Sequence, residues 1–250
     1  MLKVPKSYID DLKLEIKKAL DDPKANKIAA FDADGTCWFS DVGRDFYDYQ
    51  IRQGFFKDGP LTWDDYNKQE DVDIKQGLLW LAQILKGFHI DDVRAFGEKF
   101  NQEVRPHFID HQKEIIEFLQ AQGVEIYIVT ASVKWTIEAA AKEMGIPAEN
   151  VIGVETEIKD GIITDVLKGH LTWADGKVKA LLDRTEGKKP FYVSGNTMSD
   201  VPMMHAASHL AKLIHSAHKD HGIFLSETKA LEEARKNGWR FFNFKTGDFK

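Results

Sequence analysis

Two aspartates stand one residue apart at the end of a short apolar run, in Phe31-Asp32-Ala33-Asp34-Gly35-Thr36. Carboxylates so spaced where the chain leaves a strand can divide two roles, one attacking while the other handles protons. An aspartate nucleophile suits phosphoryl transfer, because an aspartyl phosphate splits a very slow hydrolysis into two easier steps. Gly35 lets the backbone turn sharply beside a phosphate. A chance match to D-x-D-G-T is expected only ~0.005 times in a chain of this length, so coincidence is a poor account of it. The plain alternative is an Asp-Gly turn in which Thr36 caps whatever follows.

Three other segments carry groups that complement a phosphoryl site. Thr130-Ala131-Ser132 ends a second apolar run. Thr130 offers a hydroxyl there, and the adjoining amides can donate to a phosphoryl oxygen at the start of the next helix. Ser132 serves equally well as a simple helix cap. Lys177, in Asp175-Gly176-Lys177-Val178, opens another helix and can neutralise a nucleophile or a phosphoryl group as a fixed cation. Asn196 and Asp200, in Gly195-Asn196-Thr197-Met198-Ser199-Asp200, supply the oxygen-bearing side chains that a hard cation prefers, or else form a turn with a capping Asp.

The elements that must hold these residues follow from periodicity. Ile9, Leu12, Ile16 and Leu20 share one face of a leading amphipathic helix that Pro23 stops. Residues 26–36, 124–132 and 189–196 read as buried strands, each ending in one of the polar segments. Helical patterns follow the last two, over 133–145 and 200–213. Strands alternating with helices imply an α/β, doubly wound parallel sheet, in which ligands bind beyond the carboxyl ends of the strands. About ninety residues separate the first two strands and read as mostly helical, with breaks at Gly54, Gly59-Pro60 and Gly87. The expected organisation is a core of residues 1–40 and 111–250 with a helical subdomain inserted over 41–110. Residues 153–168 signal a β-hairpin around Lys159-Asp160-Gly161.

In this order, the four polar segments resemble those of the haloacid dehalogenase superfamily of phosphohydrolases, most closely its phosphoserine-phosphatase-like branch. The resemblance runs from about residue 26 to 225 and includes the helical insert and the hairpin. It implies a Rossmann-like core with a helical cap, Asp32 as nucleophile, Asp34 as general acid and base, and Thr130 and Lys177 as the catalytic hydroxyl and lysine. It also implies Mg2+ held among Asp32, the carbonyl of Asp34 and Asn196, with Asp200 close by, while Ala131 and Ser132 border the phosphate. Asp34 matters for classification, since relatives that dehalogenate, cleave phosphonates or pump ions usually lack an Asp there. This chain departs from the family at Asn196, where Asp is common. The amide removes one negative charge from the metal site. A non-catalytic phosphate-binding relic is therefore an alternative to a working enzyme.

The insert speaks to the substrate. Residues 37–66 hold nine of the chain's 28 aromatics, where about three are expected. Val42, Phe46 and Tyr49 fit one helical stripe and read as the insert's own core. Trp38, Phe39, Phe55 and Phe56 are left as candidates to line a pocket. Residues 37–110 carry 14 acidic and 9 basic residues, nearly all of the chain's net charge of −6. Phosphoserine, as substrate, needs an acid and a base in its pocket. Asp41 lies close to the family's ammonium site, and Arg44 or Arg52 can bind a carboxylate. An acidic, aromatic cap instead suits a cationic phospho-alcohol such as phosphocholine or phosphoethanolamine. The blandest reading is that these acids simply face water.

Composition narrows the setting. With 43% hydrophobic and 30% charged residues, the 250-residue chain is expected to fold around a sizeable core. The mildly acidic balance argues against a broad nucleic-acid surface, and no run approaches a membrane span or a signal peptide, so the expected place is the cytoplasm and the expected partner a small phosphorylated metabolite. The single cysteine, Cys37, reads as a buried structural thiol. His205 and His209, four apart on the expected helix, make a weak zinc pair with no Glu between them, and His215, His218 and His221 read as a solvated loop.

Overall fold

The structure is a computed structural model and describes residues 2–56 and 59–250, so Lys57 and Asp58 of the insert's charge count lie outside it. The chain opens with α1 (Lys6–Leu20), which buries Ile9, Leu12 and Ile16 as their spacing predicts. β1 (Ile28–Phe31) follows, and all four of its residues are buried. Its pleat sends Ala29 and Phe31 into one apolar cluster and Ile28 and Ala30 into another, so this strand separates two cores and has no polar face.

Four helices come next: α2 (Val42–Arg52), α3 (Trp63–Glu70), α4 (Ile74–Gln83) and α5 (Ile90–Glu103). The chain then continues through α6 (Asp110–Ala121), β2 (Glu125–Val133), α7 (Lys134–Lys142), β3 (Val151–Val154), β4 (Thr156–Lys159), β5 (Ile162–Leu167) and α8 (Asp175–Arg184). It ends with β6 (Tyr192–Gly195), α9 (Val201–Ala206), β7 (Leu210–His215), α10 (Phe224–Lys236) and β8 (Arg240–Asn243).

Six strands form one parallel sheet in the order β3-β2-β1-β6-β7-β8. Leu12 and Ile16 of α1 join Ile115 and Ile116 of α6 on one face, while Leu181, Met203 and Ala230 from α8, α9 and α10 pack on the other. This is the expected doubly wound α/β architecture. From β1 the chain winds outward to β3 and then returns to β1's other side at β6. Strand order therefore switches between β1 and β6, which opens a crevice at their carboxyl ends. Phe31 sits opposite Ile128 of β2 and Ser194 of β6, so Asp32 emerges between the two neighbouring strand ends.

The helical insert has its own apolar cluster, built from Tyr47, Tyr66, Leu81 and Val93 and shared with Trp135 of α7 and Ile163 of β5. Its last helix, α5, is tied to α7 by Arg94–Glu138 at 2.8 Å, Asn101–Glu143 at 2.7 Å and Lys142–Glu98 at 2.9 Å. The β4–β5 hairpin turns at Asp160 and Gly161, both with positive φ. Backbone bonds Ile163 N to Phe88 O (3.0 Å) and Gly87 N to Ile163 O (2.9 Å) make it a strut against the insert.

One expected element is corrected. The helix over 200–213 exists only as α9, and Leu210–His215 is strand β7. A strand covered on both faces gives a continuous apolar run that periodicity alone does not separate from a buried helix. His205 and His209 consequently do not share a helical face: His205 packs against Trp239, and His209 pairs with Asp22. His215 is also buried at the end of β7, where a solvated loop was expected. Among the described residues, no helix is long and apolar enough to cross a membrane.

Candidate active site

Asp32 is the first residue beyond β1, and its backbone N–H still bonds to Ser194 O at 2.9 Å, which fixes it at the sheet's edge. Its carboxylate is nearly buried. Lys177 Nζ, from the first turn of α8, reaches one of its oxygens at 2.6 Å, and Thr36 Oγ1 donates to the other at 2.9 Å. The same ammonium lies 2.6 Å from Asp200 Oδ1. Burial and the charge of Asp200 push the Asp32 carboxyl up to about 6, against the opposing pull of Lys177. Burial alone would lower the Lys177 ammonium, but the flanking Asp200 and Asp32 carboxylates outweigh it and hold the group charged.

Asp34 points the other way, toward β2 and the insert. Its Oδ1 accepts from the Trp38 indole N–H at 2.7 Å and from Val42 N at 2.8 Å, and its Oδ2 accepts from Ser132 Oγ at 2.6 Å. Burial and the negative charge of Asp41 nevertheless push its carboxyl up to about 7. α2 begins directly over this group. A Cβ on Gly43 would lie 2.4 Å from Ser132 Oγ, so only glycine allows the helix to approach so closely. Ser132 thus serves Asp34 and does not cap α7. Thr130 Oγ1 accepts from Ser132 N at 3.0 Å and shapes the loop, with half-buried Ala131 between them.

Asn196 and Asp200 arrive from the end of β6. Asp200 Oδ2 accepts from the amides of Asn196 (3.1 Å) and Thr197 (2.9 Å), so with Lys177 on its other oxygen both are already engaged. Asn196 Oδ1 lies 3.4 Å from Thr36 Oγ1, facing the Asp32 side, and its Nδ2 donates to Glu227 Oε1 at 2.9 Å. Gly35, at φ +78°, packs against this amide: a Cβ there would lie 2.0 Å from Asn196 Nδ2.

The structure therefore brings Asp32, Asp34, Thr130, Ser132, Lys177, Asn196 and Asp200 together, and Asp41 stands at the rim as the N-cap of α2. Arg44, one turn into α2, is already bound to Glu70 at 2.6 and 2.9 Å and stacks over Tyr66. Arg52 is not part of the site. It ends α2, roughly 15 Å along the helix axis from Val42, and pairs with Asp48 at 2.7 Å. Trp38 is fully buried and holds Asp34, so it is not a pocket wall. Phe39 packs on Phe244, and Phe55 stacks on Phe88 beside Phe56. Cys37 is a buried thiol raised by burial, as expected. Sequence reasoning missed Glu227, which sits in a helix with the charge pattern of a solvated surface.

Among the described residues, no group of three or more His, Cys, Asp or Glu converges as a metal cage. A sequence model of the haloacid dehalogenase-like hydrolases matches residues 29–205, from β1 through α9. The chain belongs to that family. The haloacid dehalogenase-like fold is shared with a protein of unknown function from Bordetella pertussis Tohama I, at 20% identity and TM-score 0.71, covering 86% of this chain and 96% of that one. A functionally unknown protein from Anaerococcus prevotii DSM 20548 is similar at 16% identity and TM-score 0.70, covering 95% and 94%. A probable phosphoserine phosphatase from Vibrio cholerae matches at 16% identity and TM-score 0.54, covering 87% and 73%. A comparison with curated protein sequences returns no significant match.

Proposed function

We propose that this hydrolase is a phosphomonoesterase acting on a small phosphorylated metabolite through an aspartyl phosphate on Asp32. The observation that carries the reading is the pairing of two differently furnished carboxylates. Asp32 is clamped by a buried ammonium, while Asp34, two residues on, receives hydrogen bonds only from uncharged donors. In the first environment Lys177 opposes the upward push of burial and Asp200 and leaves the nucleophile ionised near neutrality, and the second favours a group that exchanges a proton there.

In the first half-reaction an Asp32 oxygen attacks phosphorus in line, the bond from phosphorus to the alcohol oxygen breaks, and protonated Asp34 gives its proton to that oxygen. In the second, Asp34, now a carboxylate, takes a proton from water as the water oxygen attacks phosphorus. The bond to Asp32 breaks, and phosphate leaves with both aspartates restored. Lys177 balances charge on Asp32 and on the phosphoryl oxygens, and the Ala131 amide beside Thr130 donates to those oxygens, the Ser132 amide being engaged by Thr130 Oγ1.

The donor set fits a hard cation. One carboxylate oxygen of Asp32 and the amide oxygen of Asn196 both lie within reach of the Thr36 hydroxyl, which they flank. Mg2+ would be held by Asp32, the Asp34 carbonyl and Asn196 and would supply electrostatic stabilisation of the transferring phosphoryl group. Asp200 would act through Lys177 and the 196–197 amides. Residues 41–110 form the cap, and its first helix presents Asp41 and Arg44 to the leaving group.

Phosphoserine is the leading substrate class, since Asp41 and Arg44 stand three residues apart at the start of α2 as an acid and a base. A second reading, a purely cationic phospho-alcohol, draws on one observation: Arg44 is held by Glu70 at 2.6 Å and reaches Asp41 only at 3.9 Å, which leaves Asp41 the more weakly paired charge at the rim. The aromatics lend that reading little support, because Trp38 is buried against Asp34 and the half-buried Phe39, Phe55 and Phe56 pack on other rings. Assay of p-nitrophenyl phosphate and a panel of phosphorylated metabolites with Mg2+, with and without chelator, tests the proposal. Hydrolysis abolished by chelation is expected. Phosphate binding without turnover on any divalent metal would instead identify a non-catalytic relic.

A further inference from the structure

Among the described residues, Glu227 is the one fully buried carboxylate that the proposed chemistry leaves unused, and its surroundings are built for it. It projects from the first turn of α10. Its Oε2 accepts from the backbone amides of Ser216 (2.8 Å) and Ala217 (2.7 Å), just past the end of β7. Its Oε1 accepts from Asn196 Nδ2 at 2.9 Å. A carboxylate is an acceptor only, so it dictates which end of the Asn196 amide faces it. The NH2 turns outward to Glu227, and the oxygen turns inward to Thr36 and Asp32.

We infer that Glu227 is a positioning residue for the metal site, which fixes Asn196 with its oxygen inward and supplies, one hydrogen bond further out, the negative charge that Asn196 lacks. The inference rests on the metal-dependent reading above. It accounts for an amide at a position where an acid is common: a carboxylate at 196 would face the Glu227 carboxylate across a 2.9 Å contact that now contains a donor. Buried like charges at that separation are strongly unfavourable. The two positions therefore form a linked pair, amide inside and acid outside, and the complementary arrangement is acid inside and amide outside.

Hydrogen-bond accounting predicts each variant. In Glu227→Gln the side-chain oxygen must serve the Ser216 and Ala217 amides, so its NH2 faces residue 196. Asn196 then turns its own oxygen outward to accept, and presents NH2 to the metal position. In Asn196→Asp combined with Glu227→Gln, the outer NH2 donates to the inner carboxylate, and every buried group is again satisfied.

The test is a cycle of wild type, E227Q, N196D and the double variant, read by calorimetric titration with MgCl2 and by thermal unfolding without metal. The expected result is at least a fivefold loss of Mg2+ affinity in E227Q. N196D alone should unfold well below the double variant, which should regain stability and bind Mg2+ at least as tightly as wild type. E227Q binding Mg2+ like wild type, or N196D matching the double variant in both stability and affinity, would overturn the inference. If E227Q does not fold, the comparison of N196D with the double variant still decides. A wild type that binds no Mg2+ would end the metal reading, while the metal-free unfolding cycle would still judge the coupling of 196 and 227.

Discussion

The indole nitrogen of Trp38 lies 2.7 Å from Asp34 Oδ1, on the far side of the carboxyl group from Ser132. An uncharged donor in a buried place stabilises the carboxylate over the acid without adding a counter-charge. With Val42 N and Ser132 Oγ, the indole restrains the upward push of burial and leaves Asp34 titrating at about 7. This is where one group can serve as acid in one step and base in the next.

Trp38→Phe keeps the ring's packing and deletes this donor. Loss of a hydrogen bond to the ionised form raises the Asp34 pKa, so the acid form persists to higher pH. In the proposed first half-reaction Asp34 acts as the acid and must be protonated, so kcat/KM should fall as pH rises through its pKa. The alkaline limb of the kcat/KM profile should move upward by about one to two units, since a hydrogen bond to a charged group is worth roughly 1.5–3 kcal/mol. An unmoved limb accompanied by lower activity at every pH would reduce Trp38 to a packing residue.

Asp32→Asn should lower kcat by more than about four orders of magnitude, because an amide is not a competent nucleophile and no neighbouring carboxylate reaches the same position. Asp34→Asn should cost roughly 10²- to 10⁴-fold while keeping phosphate binding. Beryllium fluoride should form its adduct on Asp32 in the wild type and in Asp34→Asn. An adduct on another residue would refute the assignment of the nucleophile.

How far the site was legible depended on the distance over which each residue acts. The strand ends at Asp32, Thr130 and Asn196 were readable because a buried strand and the polar segment after it are contiguous. Arg52 was a removable candidate, since helix rise alone puts it far from the start of α2 once that helix is recognised. The role of Trp38 was hidden: four residues past Asp34 it resembles a pocket aromatic, and only the turn at Gly35 brings its N–H back to the carboxylate. Glu227 gave no signal at all. It meets Asn196 across 31 residues and two intervening elements, from a helix whose other charges face water. β7 was hidden because a strand covered on both faces reads like a continuation of the buried helix before it, and the lysine set within its apolar run does not break that likeness.

That lysine, Lys212, is fully buried, with Nζ 2.5 Å from Gln112 Oε1, and burial holds its pKa well below the usual lysine value. Between the folded pKa and about 10.5, the unfolded chain binds one more proton than the folded one, so this residue makes stability rise with pH. Its cost is greatest at the acid end. Lys212→Met should therefore raise stability at pH 7 by about 1–2 kcal/mol, even with Gln112 losing a partner, or about 2–8 °C in Tm. It should also flatten the slope of Tm against pH below 10. A lower Tm at pH 7 would mean that the Gln112 contact outweighs the burial of the amine.

The last prediction separates the two leaving groups at the rim, where Glu70 holds the Arg44 guanidinium at 2.6 Å. Glu70→Gln loosens that grip and removes one negative charge. If the substrate carries a carboxylate, Arg44 becomes free to bind it in the bidentate manner, and KM for phosphoserine should fall several-fold. If the substrate is purely cationic, the same change lowers the negative potential and KM should rise. Asp41→Asn complements this test, because asparagine still caps α2 through the bond to Arg44 N while the charge is lost. Either ammonium-bearing substrate should lose roughly tenfold in kcat/KM, and p-nitrophenyl phosphate, which offers no cation, should change little. Equal losses on the aryl phosphate would show that Asp41 acts through Asp34, whose carboxyl its charge helps to raise, and the rim would then have no part in choosing the substrate.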